Sequence, residues 1–229
     1  MKKKLSSPIY ATVAGFCLFA ISMCLARIAY GPLIPSMINT DWVTKAEAGY
    51  LGAFNGFGYI VGCLMALWLP QITGIRLLMR GSLILAVIGI GMCFWNLGFA
   101  WLSLGPFLSG SAAAIMVIHT TALIVRSFSE KSKEKLLGFA ISGGGITIVI
   151  ISLSLPYFVK NGPSDGWFLE AIITLFVALV AWPFISTAPH QRQPSKDAIK
   201  PLEFRRGRLV LLTGISYMLM SISILPHTL

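Results

Sequence analysis

Long apolar runs separated by short polar stretches set the pattern of this chain. Seven can be read, at roughly 9–31, 48–69, 76–95, 101–125, 136–159, 167–187 and 209–229. Each holds about 20 residues or slightly more, which at about 1.5 Å per helical residue crosses a hydrocarbon core roughly 30 Å thick. Backbone polar groups in lipid must be satisfied internally, so only helices or closed barrels can span. Barrel strands are about 10 residues long and alternate in polarity; these runs are longer and do not alternate. The pattern predicts an all-α polytopic membrane bundle: six transmembrane helices and a seventh that stops at Leu229 with no flanking charge to close it. Trp42, Trp68, Trp95, Trp101, Trp167 and Trp182 all fall near the ends of these runs, where an indole keeps its ring in the acyl edge and its N–H among headgroups.

Composition agrees. Charged residues make up 11% of the 229 residues against 56% hydrophobic, where a soluble domain carries roughly 25% charged. That excludes a soluble enzyme, a disordered tail and a disulfide-rich secreted domain. The net charge of +10 would suggest nucleic acid in a soluble chain; here its distribution gives topology and no nucleic-acid partner. Of 18 Lys and Arg residues, 3 lie at the N-terminus, 2 around 70–80 (Arg76, Arg80), 4 in 126–135 and 6 in 188–208. The intervening loops hold only Lys45 and Lys160, and Arg27 is left within a span. The positive-inside bias places the N-terminus in the cytoplasm of a multi-pass inner-membrane protein. The start, Lys2-Lys3-Lys4 before an apolar stretch ending at Cys24-Leu25-Ala26, resembles a secretory signal. Met23 is large where a cleavage box needs a small residue, so a retained first helix is expected.

The polar stretch 188–208, with Pro194, Pro201 and its basic cluster, reads as a linker. The expected organisation is thus a six-helix bundle over 1–187, a basic cytoplasmic linker over 188–208 and the first helix of an incomplete second bundle over 209–229. Cys17, Cys24, Cys63 and Cys93 lie inside spans without a C-x-x-C spacing and read as packing residues.

Few residues are chemically expressive. Arg27 stands about 16 residues (roughly 24 Å) beyond the inner edge of the first span. An intramembrane Arg costs on the order of 3 kcal/mol even on insertion scales, so it faces a partner or a wet cavity, or snorkels to the outer headgroups. Pro32 and Pro35 suggest a kinked extension of that helix to about Met37. The second span carries Gly49-x-x-Gly52-x-x-x-Gly56 and Gly58-x-x-x-Gly62, a small-residue surface for close helix approach. Asn55 and Tyr59 point from that stripe, either into a cavity or into an interhelical hydrogen bond. His119 in the fourth span either relays a proton or contacts solute, or is a neutral imidazole bonded to a neighbour. Glu170, three residues into the sixth run, pairs with Arg27, couples a proton or ion, or sits at the outer interface. Gly138, Ser142, Gly143, Gly144 and Gly145 lack the G-K-[ST] ending of a phosphate loop and read as a packing surface. No catalytic motif or metal-ligand spacing occurs, so no enzyme activity, cofactor or metal is expected.

Arg27-Ile28-Ala29-Tyr30-Gly31-Pro32-Leu33-Ile34-Pro35, then Ala48-Gly49-Tyr50-Leu51-Gly52 and Asn55-x-x-Gly58-Tyr59-x-x-Gly62, resemble the YbfB/YjiJ-like branch of the major facilitator superfamily. The seventh run, with Gly214-x-x-Tyr217 and Leu225-Pro226, is similar to the start of that family's second half. The resemblance implies two six-helix bundles, each of inverted three-helix repeats, with solute bound between them and alternating access by rocking. An offset of about 86 residues relates Gly52 to Gly138 and Gly58 to Gly144. The cytoplasmic gating loop between spans two and three would correspond to Gly74, Arg76 and Arg80, although Leu69-Pro70-Gln71-Ile72 replaces the expected charged residues. The implied partners are the lipid bilayer, a small-molecule solute, and a missing second bundle or another membrane chain. The competing classes are a non-transporting membrane partner or degenerate remnant, a seven-helix receptor, and an intramembrane enzyme. The receptor reading lacks a lysine in the last span, since none follows Lys200.

Overall fold

The computed structural model describes residues 8–28, 30–127 and 130–185, all within one compact unit, Met1–Pro189. The basic linker and the seventh run lie outside the described residues. Helix α1 (Pro8–Phe19) passes into a π-helical turn (Ala20–Leu25). After a break the chain re-enters helix at Gly31–Leu33 (3-10) and α2 (Ile34–Asn39). Five longer helices follow: α3 (Lys45–Thr73), α4 (Ile75–Met92), α5 (Phe99–Ser127), α6 (Glu130–Phe158) and α7 (Pro163–Ile185). All five are long and apolar enough to cross a membrane, whereas the apolar helix Thr12–Leu25 is shorter. No strand occurs among the described residues.

The first span is therefore not one continuous helix over 9–31. Pro32 and Pro35 lack the N–H that a continuous helix would bond to residues 28 and 31, and their rings crowd those carbonyls. The helix ends at Ala26 and restarts with Pro32 in the first turn of the 3-10 segment. The opposite correction applies to two expected loops. The one around 70–80 shrinks to a single break at Gly74, whose φ of 80° suits glycine. Arg76 and Arg80 consequently lie on α4, not in a loop. Likewise α5 runs to Ser127 and α6 begins at Glu130, so polar residues extend helices beyond the hydrocarbon instead of ending them. The start of α3 is fixed by a capping box. The Glu47 carboxylate accepts from the Thr44 N–H at 2.8 Å, and Thr44 Oγ1 accepts from the Glu47 N–H at 3.2 Å.

Helices distant in sequence form the main contacts. α3 lies along α5, α1 along α6, and α4 packs on both α5 and α7. Glycine makes these approaches possible. A Cβ on Gly58 would strike the Phe107 carbonyl and one on Gly62 the Ser111 carbonyl, while Gly143 lies equally close to the Phe16 carbonyl. The α3–α5 seam is cross-linked by Ser111 Oγ, which donates to the Gly58 carbonyl at 2.9 Å. Numbers rise together on both sides of each seam, so α3 runs parallel to α5 and α1 to α6. Exchanging the first three spans with the last three turns the α1–α6 pair into α5–α3 and the α4–α5 pair into α7–α1, which is also a contact. The inverted repeat of three helices is thus present in the packing. Gly58 and Gly144, paired by the sequence offset, both sit on seams, whereas Gly138 faces open space.

Large apolar side chains point outward along the helices, among them Leu67 and Ile72 on α3, Leu153 on α6 and Phe176 and Leu179 on α7. This is the surface expected against lipid. Trp167 departs from the interfacial expectation: it is buried in the central core with Ile21, Cys24, Leu33 and Leu155.

A Cβ at Gly62 meets backbone, which cannot swing aside, so Gly62→Ala is expected to cost about 2 kcal/mol and lower the thermal midpoint of the detergent-purified chain by several degrees. Gly56→Ala, where nothing lies within 4 Å of the added carbon, should leave the midpoint unchanged or raise it. Equal midpoints for the two variants would refute the seam.

Candidate functional site

The break in the first span creates the site. Around Ala26 the helical ladder ends: the Ala26 N–H still bonds to Ile21 O at 2.8 Å, and the Arg27 and Ile28 N–H groups both turn back to Cys24 O at 3.1 and 2.8 Å. The Ala26 carbonyl instead accepts from two other helices. Asn55 Nδ2 on α3 reaches it at 2.8 Å and Ser109 Oγ on α5 at 3.2 Å. The same Asn55 amide donates to the Pro106 carbonyl at 3.0 Å, and Ser109 Oγ lies 3.1 Å from that oxygen. These side chains therefore tie the Pro106 turn of α5 to the broken end of the first span. Gly110 lets the backbone of Asn55 come this close, since a side chain at 110 would collide with the Asn55 carbonyl. Asn55 is 5% exposed. Of its two sequence readings, the interhelical hydrogen bond describes what the side chain does.

Arg27 follows directly, within the turn itself. It is half-buried, and its guanidinium carbon sits 4.4 Å from the centroid of the Tyr59 ring. Stacking on an aromatic face gives a partly desolvated cation about 1–2 kcal/mol. The carbonyl end of a helix also favours positive charge, and Arg27 immediately follows one. Tyr30 and Cys63 lie within electrostatic reach of the guanidinium. The pair Arg27–Tyr59 was legible as two separate candidates, and the structure joins them.

The other predicted residues lie elsewhere. His119 is buried on α5, eight residues and about 12 Å along the helix beyond Ser111. The parallel α3–α5 register therefore places it two turns past the level of Gly62, away from the Arg27–Tyr59 stack. Glu170 does not pair with Arg27: it is 0% exposed, and neither carboxyl oxygen has a hydrogen-bond partner. α7 starts at Pro163, after the break at Gly162, so Glu170 lies one turn further along its helix than a start at 167 would give. Arg80 folds its guanidinium over Trp182 of α7 at 5.0 Å, linking those two helices, while Arg76 is exposed. No cluster of potential metal ligands occurs among the described residues, and all four cysteines are free. An open groove of about 490 Å³ runs between α2 and the end of α6, past Ser36, Asn39 and Lys160, and includes none of the predicted site residues.

Ser109 and Pro106 are the site residues that sequence reasoning missed. Pro106-x-x-Ser109-Gly110 in an apolar helix holds the signal: a missing donor, a hydroxyl one turn later and a glycine beside it.

Apolar helices of membrane-spanning length, a discontinuous first span and a cation at its break define a polytopic transporter-type bundle. Comparison with protein families agrees: residues 19–228 match the family described as uncharacterised MFS-type transporter YbfB. The chain belongs to this family of major facilitator superfamily transporters. No curated protein matches it.

Replacing Asn55 with Leu removes the amide donor from both the Ala26 and the Pro106 carbonyl and leaves Ser109 Oγ as the side-chain donor beside them. The expected loss is about 2 kcal/mol, read as a lower midpoint in thermal unfolding of the purified chain. Ser109→Ala, which keeps the amide, should cost less than half as much.

Proposed function

We propose that this chain supplies one wall of a secondary transporter that moves a small anionic solute by alternating access, with Arg27 as the fixed cation. The observation carrying this reading is the placement of Arg27 in the broken turn of the first span, stacked on Tyr59. A cation at that depth opposes membrane insertion by roughly 3 kcal/mol, and non-helical backbone at membrane depth is tolerated where it is buried in protein or lines a wet cavity. Broken helices near the midplane are the usual solute sites of secondary transporters. Stacking holds the plane of the guanidinium, and a carboxylate or phosphate is met by the N–H donors along its edge, two at a time.

Alternating access needs a second bundle facing this one, which is the partner this reading requires. Rocking of two rigid bundles asks each to be internally stiff, and the glycine seams supply that. The N-terminus is assigned to the cytoplasm of the inner membrane on the distribution of Lys and Arg, and His119, about three turns from the level of Arg27, is a candidate for solute contact closer to the cytoplasmic end.

The test is flux in proteoliposomes carrying the transporter with both bundles, screened with a panel of radiolabelled organic anions and neutral solutes. For an anion that is carried, Arg27→Ala is expected to reduce flux at least tenfold. Tyr59→Phe, which keeps the aromatic face, should stay within a few-fold of the parent, and Tyr59→Leu should fall well below it. Unchanged anion flux in Arg27→Ala would overturn the assignment. The 229-residue chain alone should give no flux.

A further inference from the structure

The π-helical turn, α4 and α7 enclose a polar group that the Arg27 site does not use. Glu170 is completely sealed, and neither of its oxygens meets a donor. Around it the titratable side chains are thiols, Cys24 on the π-helical turn and Cys93 at the end of α4. Among the described residues no Lys, Arg or His forms an ion pair with it. One turn away on α7, the Trp167 indole is 3% exposed and its N–H also lacks a partner. Trp167 borders a small cavity of about 10 Å³ shared with Tyr30, Cys93 and Ser109, room for about one water molecule.

A carboxylate in such a setting would be an unpaired buried charge, the costliest arrangement a side chain can adopt, whereas the carboxylic acid is a neutral group of the same shape. A leucine or methionine would fill the volume without either penalty. We propose that Glu170 is a proton-binding site, separate from the Arg27–Tyr59 stack, at which the bundle takes up and releases one proton as the first span repacks. Uptake forms one O–H bond at a carboxyl oxygen, with the proton delivered by hydronium that becomes water; release is the reverse, and no other bond changes. The moving part is the π-helical turn. Its Cys24 lies within electrostatic reach of Glu170, and Arg27 follows three residues later. A π turn is an alternative to the α ladder, so hydrating an ionised Glu170 would favour a different packing of that turn and shift the Arg27 cation. Use of this proton in coupling rests on the transporter reading above; the existence of the site does not.

Infrared spectroscopy of the reconstituted 229-residue chain separates the two. The chain has 8 Asp and Glu residues in all, so a single buried acid is resolvable. At neutral pH a carboxylic-acid C=O band is expected that is lost in Glu170→Gln, and that shifts slowly in deuterated water as the enclosed proton exchanges. Glu170→Gln and Glu170→Met should both fold with thermal midpoints equal to or above the parent's. If the band is absent and the Glu170→Gln difference spectrum shows an ionised carboxylate instead, the proposal is wrong. It is equally wrong if both variants lose stability, which would mark Glu170 as a structural partner. Neither result depends on solute flux, so failure of the Arg27 assignment leaves the outcome readable.

Discussion

Everything in this bundle depends on one constraint: a backbone carbonyl released inside an apolar medium must find a donor. Breaking the first span at Ala26 releases such groups at the place where lipid offers none. The repair comes from Asn55 and Ser109, on two different helices, which converge on the same oxygen. That convergence fixes the relative height of α1, α3 and α5. It also explains why an arginine can be held at the break: the turn that exposes its backbone is clamped, and its side chain is supported by Tyr59, one helical turn from Asn55 on the same face of α3.

The clamp in turn depends on how closely the helices approach. Without a hydrophobic force between helices in lipid, association relies on van der Waals contact and hydrogen bonds, both of which need short distances. Gly58, Gly62 and Gly110 bring the α3 and α5 backbones together so that a short amide like Asn55 can span the gap. The α1–α6 seam repeats the device through Gly143 and Gly144. Two parallel glycine seams related by exchange of three-helix units hold the backbones of the bundle in close contact.

The membrane character of this unit and the five helices of spanning length were legible because length and hydropathy are properties of single segments. Gly58 and Gly62 were legible for the same reason, since their spacing places them on one face of a helix. What the sequence did not disclose was pairing between segments. The Asn55 amide offered a cavity role and a structural role equally until Pro106 and Ser109 were seen beside it, 51 and 54 residues away. Trp167 read as interfacial by its place near the end of an apolar run, and only the start of α7 at Pro163 shows that the indole turns inward. Charge misled in the same way around 70–80, where Arg76 and Arg80 looked like loop residues but continue a helix once Gly74 has made the turn.

The two ionisable groups held within the bundle, Arg27 and Glu170, could have neutralised one another, and the fold keeps them apart. A direct ion pair would have lowered the insertion cost of both, yet Arg27 is placed on an aromatic ring and Glu170 is fully buried within electrostatic reach of two thiols. Pairing would also have fixed both groups in one state, because separating a buried pair leaves two unmatched charges. Kept apart, each is free to take its proposed role independently: the guanidinium by meeting an anion, the carboxyl by gaining or losing a proton. The element lying between them is the π-helical turn, six residues of backbone with an alternative hydrogen-bonding pattern. A bundle otherwise locked by glycine seams therefore has its adjustable segment where those two events can influence each other.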